Sequence, residues 1–129
     1  MEFLITNSKT KMYFFFRLQV LYRYTRKPHL FSASMTSIQI TLNNLDSKED
    51  LTDIKIGSKT LAPGMSMHDF PGISKLTPNE SRTVSIGINF NDSTQAAKFD
   101  IVSSGRVFPI TIQAPVGKKH ALKTYDKFR

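Results

Sequence analysis

Three histidines, His29, His68 and His120, are the residues of this 129-residue chain best suited to proton transfer or metal binding, and their spacing favours neither. A zinc site draws on ligands paired a few residues apart, and no two of these approach that spacing. His68 adjoins Asp69, a couple that could serve a nucleophilic serine, but no Gly-x-Ser-x-Gly turn exists to display one. The six glycines are scattered singly, so no phosphate-cradling loop is formed. Cysteine is absent, which removes thiol chemistry and disulfide staples together and fits a reducing compartment without requiring one. The chain is therefore expected not to be an enzyme, with no catalytic, cofactor-binding or metal-binding residues and no cofactor. What remains is contact chemistry. In Met65-Ser66-Met67-His68-Asp69-Phe70, alternation sets the two methionines toward a core. Ser66, His68 and Phe70 then share the other side, which makes His68 and Phe70 the candidate partner contacts.

The elements that would carry these residues are strands. Ile38, Ile40 and Leu42 alternate with Gln39 and Thr41, the period-two pattern of a half-buried strand. Asn43 to Asp50 is dense in turn formers, and alternation resumes at Leu51 through Ile54 and Ile56. Gly57-Ser58 reads as the next turn, with Lys59-Thr60-Leu61 a short strand ended by Pro63-Gly64. Val84, Ile86, Ile88 and Phe90 define one face of the cleanest strand, with Gly87 opposite as a sign of a bulge or of close backbone approach. Ala97, Phe99 and Ile101 alternate after the Asn91-Asp92-Ser93-Thr94 turn, and Phe108, Ile110 and Ile112 do so again. Pro109 within that last run cannot donate to a ladder and predicts an edge position or a bulge. The triplets Asn79-Glu80-Ser81 and Asn91-Asp92-Ser93 match the N-glycosylation pattern but are read as turn chemistry. About six or seven short strands and no convincing helix predict an all-β fold, an immunoglobulin-like β-sandwich.

Charge divides the chain into three. Residues 1–35 carry six Lys/Arg against Glu2, and residues 118–129 carry five against Asp126; between them seven basic face eight acidic residues. The overall +8 thus belongs to the ends. Two basic tails are not the continuous basic face that displaces counterions from several phosphates, so no specific nucleic-acid partner is expected. An anionic membrane surface is a better match for such tails. Met12 to Tyr22 is the most apolar window, but Arg17 and Gln19 interrupt it and it is too short to span a bilayer. As a signal peptide it also fits badly, since Arg17 breaks the apolar run and Tyr22-Arg23-Tyr24-Thr25-Arg26-Lys27 makes a poor cleavage region. Three divisions are expected: residues 1–35 as a basic aromatic extension outside the core, 36–117 as the sandwich, and 118–129 as a basic tail, with both ends irregular or disordered.

From about Ser37 to Gly117 the chain resembles the C-terminal appendage region of the beta subunit of adaptor protein complex 3, a vesicle-coat adaptor. Gly57 after a strand, Pro63-Gly64-Met65 with Met67-His68 and Phe70, Gly87-Ile88 and Phe90 leading into Asp92-Ser93-Thr94-Gln95, and the closing Pro115-Val116-Gly117 carry the likeness. Tyr125-Asp126-Lys127-Phe128 adds a fainter echo. The resemblance implies an immunoglobulin-like sandwich on a heterotetrameric coat complex that sorts cargo from Golgi or endosomal membranes toward lysosomes or vacuoles. It also implies a cytoplasmic location, with other adaptor subunits and coat accessory proteins as partners recruited through short peptides. Neither the helical trunk nor the smaller α/β platform of the family is represented in the sequence, so the likeness covers the sandwich part alone. A peripheral membrane-binding or cell-surface β-sandwich is the alternative class.

Overall fold

The computed structural model describes residues 2–5, 10–28 and 34–115. Ten strands follow in chain order: β1 (Glu2–Ile5), β2 (Thr10–Phe15), β3 (Leu18–Pro28), β4 (Thr36–Asn44), β5 (Leu51–Thr60), β6 (Ser66–His68), β7 (Ile73–Leu76), β8 (Ser81–Asn89), β9 (Ala97–Ser103) and β10 (Arg106–Ile112). They form two antiparallel sheets, one ordered β1-β2-β3-β4-β8-β6 and the other β10-β9-β5-β7. The described residues contain no helix. This is the all-β sandwich expected from the alternation.

One core joins the two sheets. Leu18, Val20, Ile38, Ile40, Leu42, Ile86 and Ile88 face inward from the first sheet, and Ile54, Leu76, Ile101, Ile110 and Ile112 from the second. Within β3, β4, β8, β9 and β10 these are every second residue, because successive side chains of a strand point to opposite faces, whereas in β5 and β7 the buried residues fall three apart, Leu51 with Ile54 and Ile73 with Leu76. Burying such a residue stabilises the fold by about 1.5–3 kcal/mol, so the interdigitated faces dominate the stability.

Residues 10–28, expected to lie outside the core, supply two strands instead. Tyr13, Leu18, Val20 and Tyr22 belong to the buried cluster, and β3 pairs with β4 from Leu18↔Asn44 to Pro28↔Thr36. The physical reason is pattern. Tyr13 and Phe15, then Leu18, Val20 and Tyr22, alternate on either side of a two-residue turn at Phe16-Arg17, while Arg17 and Arg23 lie off the buried face. The basic tail at 118–129 lies outside the described residues.

Two other local expectations change. Gly57-Ser58 is a bulge within the continuous β5, where the register with β9 shifts by one residue between Ile56 and Lys59. A Cβ on Gly57 would come within 2.8 Å of Val102 Cγ1, so close packing of β9 calls for glycine there. Gly87, by contrast, sits in regular register between Ser37 and His68. Pro109 does lie on an edge, since β10 ends the second sheet.

That edge is closed by tyrosines from the other sheet. Tyr13 Oη accepts a bond from the Thr111 N–H at 3.1 Å and donates to the Thr111 carbonyl at 2.9 Å. Tyr22 also reaches the Thr111 carbonyl, and Tyr24 donates to that of Gln113. Burial pushes the Tyr22 phenol up, with the neighbouring Tyr24 and Tyr13 adding to the effect, and burial raises Tyr24 to about 12. Both therefore keep their protons at neutral pH and can donate. With Pro109 lacking an N–H, these hydroxyls leave β10 a poor template for another strand. Replacing Tyr13 by Phe leaves the Thr111 N–H without its acceptor and the Thr111 carbonyl with Tyr22 alone, and is expected to lower stability by about 1–3 kcal/mol. The denaturant midpoint reads the loss, and faster hydrogen exchange at the Thr111 amide locates it.

Candidate docking surface

His68 and Phe70, expected side by side at a partner contact, are separated by the fold. β6 is a three-residue edge strand on β8, with Met67 opposite Ile88 and His68 opposite Gly87. It ends at His68 because the chain then crosses from the first sheet to β7 in the second. Phe70 lies in that crossover and is only 3% exposed, packed into the core. Strand alternation no longer applies there, so the shared face read for His68 and Phe70 is lost. Phe70 holds the sheets together rather than offering a surface. His68 remains partly accessible, beside an Asp69–Lys59 ion pair of 2.7 Å. The other two histidines, His29 and His120, lie outside the described residues. Met65 and Met67 pack partly buried against the core, as their side of the alternation implied.

A different set of residues converges at one pole of the sandwich. The Phe16-Arg17 turn joins β2 to β3, the loop from Leu45 to Asp50 follows β4, and the Ser104-Gly105 turn joins β9 to β10. Asn44, 1% exposed, ties the pole together. Its amide donates to the Glu49 and Leu76 carbonyls, each at 2.9 Å, and its Oδ1 accepts the Asp46 N–H at 2.9 Å. Its backbone N–H and C=O bond to Glu80 and Asn79, each at 3.0 Å.

On this base sits Phe16, 70% exposed. The Arg17 and Arg106 guanidinium carbons lie 5.3 and 5.4 Å from its ring centroid, within cation–π range. Arg17 is neutralised by Asp46 at 3.0 Å and Glu49 at 2.8 Å. Arg106, also exposed, has no carboxylate partner among the described residues. The backbone N–H groups of Lys48 and Glu49, and then Arg17, hold the Asp46 carboxyl below its ordinary range. The Thr77 N–H and hydroxyl do the same for Glu80, helped by Arg82. Both acids are thus charged at neutral pH and committed to the loops, which leaves Arg106 as the guanidinium able to take a new anion. Sequence reading misses this pole because charge composition places Phe16 and Arg17 in the N-terminal extension. A further hollow on the first sheet is lined by Thr10, Leu21, Tyr22, Arg23, Gln39 and Thr41.

Nothing in this arrangement resembles a reaction centre. No group of three or more His, Asp or Glu positioned to hold a metal, and no helix long and apolar enough to cross a membrane, occurs among the described residues. The chemistry on offer is an exposed aromatic ring, a cation and a rigid frame.

A family model for the C-terminal part of the clathrin-adaptor complex-3 beta-1 subunit matches residues 16–95, which run from the turn before β3 through β8. The match begins well before Ser37 and takes in residues beyond the stretch that carries the resemblance in the sequence. The chain is 45% identical over 97 residues to AP-3 complex subunit beta-1 of Mus musculus and 46% identical over 97 residues to that of Homo sapiens. Each alignment covers 75% of this chain and 9% of the relative, so the chain spans only a small part of their length. Among solved structures, a FixG-related protein from Vibrio parahaemolyticus superposes with a TM-score of 0.51 at 11% identity, covering 78% of this chain and 94% of that one. That likeness extends to the fold alone.

Proposed function

The chain belongs to the family of C-terminal regions of the clathrin-adaptor complex-3 beta-1 subunit, and on that premise we propose that it is a non-catalytic, appendage-type docking module of a vesicle-coat adaptor. In this role it takes part in intracellular protein transport toward lysosomes or vacuoles, in the cytoplasm at Golgi, endosomal or coated-vesicle membranes. Its partners are other adaptor subunits and coat accessory proteins. The single observation that carries the reading is the family match across residues 16–95, the stretch that builds β3 through β8 and most of the core. The rigid sandwich supports it, since a preorganised surface loses little conformational freedom on binding a short segment. The excess of four positive charges on residues 118–129 favours approach to an anionic membrane surface.

The pole is the surface best suited to an accessory peptide. An aromatic ring beside a guanidinium with no carboxylate partner among the described residues matches a short segment carrying a carboxylate and a large apolar side chain, and Arg and aromatic residues commonly dominate such contacts. A tagged chain expressed in eukaryotic cells is expected to recover adaptor-complex subunits or coat accessory proteins, identified by mass spectrometry. Phe16→Ala with Arg106→Glu should cut that recovery by roughly thirtyfold, the scale of one lost hot spot. Recovery of neither class by the unaltered chain would remove the proposed role. Undiminished recovery by the double variant would move the contact away from the pole.

A further inference from the structure

The turn between β2 and β3 is strained in two ways. Phe15 pairs with Leu18, so Phe16-Arg17 is a two-residue hairpin connection. Such connections favour the type I′ or II′ turns, whose twist matches that of the strands. Here the positive φ falls on the second residue alone, Arg17 at 78°. That is the pattern of a type II turn, which splays a hairpin and calls for glycine where Arg17 stands. The conformation is held from outside by the Asp46 and Glu49 carboxylates and by the Leu45 N–H, which donates to the Arg17 carbonyl at 2.8 Å.

β2 itself is bound by contacts that do not depend on this connection. It pairs with β3 over six positions, from Thr10↔Arg23 to Phe15↔Leu18. The Tyr13 ring is 7% exposed, stacks on Phe15 and Tyr22 at 5.8 and 6.4 Å, and is latched by its hydroxyl to Thr111. Phe15 packs edge-on against Phe108 at 5.2 Å. All of these would be equally satisfied by β2 of another molecule.

From the strained hinge and the self-sufficient socket, we propose that the edge of β3 and the Thr111 groove form a strand-accepting surface whose partner is a second copy of this chain, which donates its β1–β2 hairpin. Opening the Phe16-Arg17 turn into continuous extended chain removes the positive φ, while every β2 contact is remade across the pair. Short strained hinges are the setting in which identical elements exchange. β1, which among the described residues pairs with β2 alone, travels with it.

The chain contains no cysteine, which permits a direct test. Thr10 and Arg23 are cross-strand partners, with Cα atoms about 4.5–5.5 Å apart in such pairs, within disulfide reach. The full chain carrying Thr10→Cys and Arg23→Cys is refolded at low and high protein concentration, oxidised, and examined by light scattering and by non-reducing gel. A dimer favoured by refolding at high concentration, in which the disulfides join two chains, is the expected result. Arg17→Gly relieves the hinge in the closed form and, although it forfeits a partly buried pair with Asp46 and an exposed one with Glu49, is expected to lower the dimer yield by roughly tenfold. A chain that stays monomeric at every concentration overturns the proposal, as does a dimer whose disulfides all lie within single chains.

Discussion

A chain begun at Met35 is expected to show no cooperative unfolding transition and to be recovered mainly as aggregate. Composition makes Met35 look like a natural start, since residues before it carry most of the N-terminal basic charge. The fold contradicts that reading. Tyr13, Leu18, Val20 and Tyr22 leave the core together, and at about 1.5–3 kcal/mol each their loss is comparable with the whole stability of an ordinary domain, about 5–15 kcal/mol. The damage extends beyond lost burial. β4 becomes the edge of the first sheet along Thr36 to Asn44, exposing a row of unpaired backbone groups. The Thr111 carbonyl and N–H lose the Tyr13 cap at the same time, so the second sheet gains an open edge too. Circular dichroism, thermal melting and the soluble fraction on expression together check the outcome. A soluble Met35–Arg129 chain with a sharp melt near that of the full chain would show that β2 and β3 are accessories, contrary to the burial pattern.

Replacing Asn44 by Ala is the most damaging single substitution expected at the pole. Asn44 donates to two carbonyls and accepts one N–H through its side chain while nearly inaccessible to water. Alanine leaves the Leu76 carbonyl buried without that partner and frees the Glu49 carbonyl and Asp46 N–H. Each unsatisfied buried group costs about 1–3 kcal/mol, so the variant should lose about 3 kcal/mol or more. For a domain of this size that is a fall in melting temperature of about 10 °C. The denaturant midpoint should drop with an unchanged slope, since the surface exposed on unfolding is the same. Because the loop from Leu45 to Asp50 is anchored by these bonds, the carboxylates that hold Arg17 should loosen as well. Hydrogen exchange at Asp46 and Lys48 should then rise more than at the centre of β8. A melt unmoved by the substitution would mean that water replaces the lost partners at no cost.

Much of the fold is legible in the order of residues. β4, β8, β9 and β10 each show three or four apolar residues at spacing two, and in each of these strands those residues face the core. Pro109 points to an edge because a missing N–H is a local property. Other features are written in the sequence but ambiguous. Tyr13 and Phe15, then Leu18, Val20 and Tyr22, carry the same alternation, yet Arg17 and Arg23 make the segment read as an interrupted apolar run. Gly57-Ser58 has the composition of a turn, and only β9 continuing alongside makes it a bulge. Phe70 looks exposed when alternation is carried past His68, where β6 stops.

The candidate site is less legible still, for a reason of distance along the chain. Arg106 meets Phe16, and Tyr13 meets Thr111, across separations that local pattern does not encode. The order of residues by itself determined that this is an all-β chain, which side of each well-patterned strand is dry, and the absence of cysteine chemistry, because these depend on side-chain type and the two-residue period of an extended backbone. Tertiary structure alone decided which strands are neighbours, that the N-terminal aromatics complete the core, and that one ring and one cation stand together at the pole. Those outcomes rest on the pairing and packing of distant segments, where the free energy belongs to the contact between them and to neither segment separately.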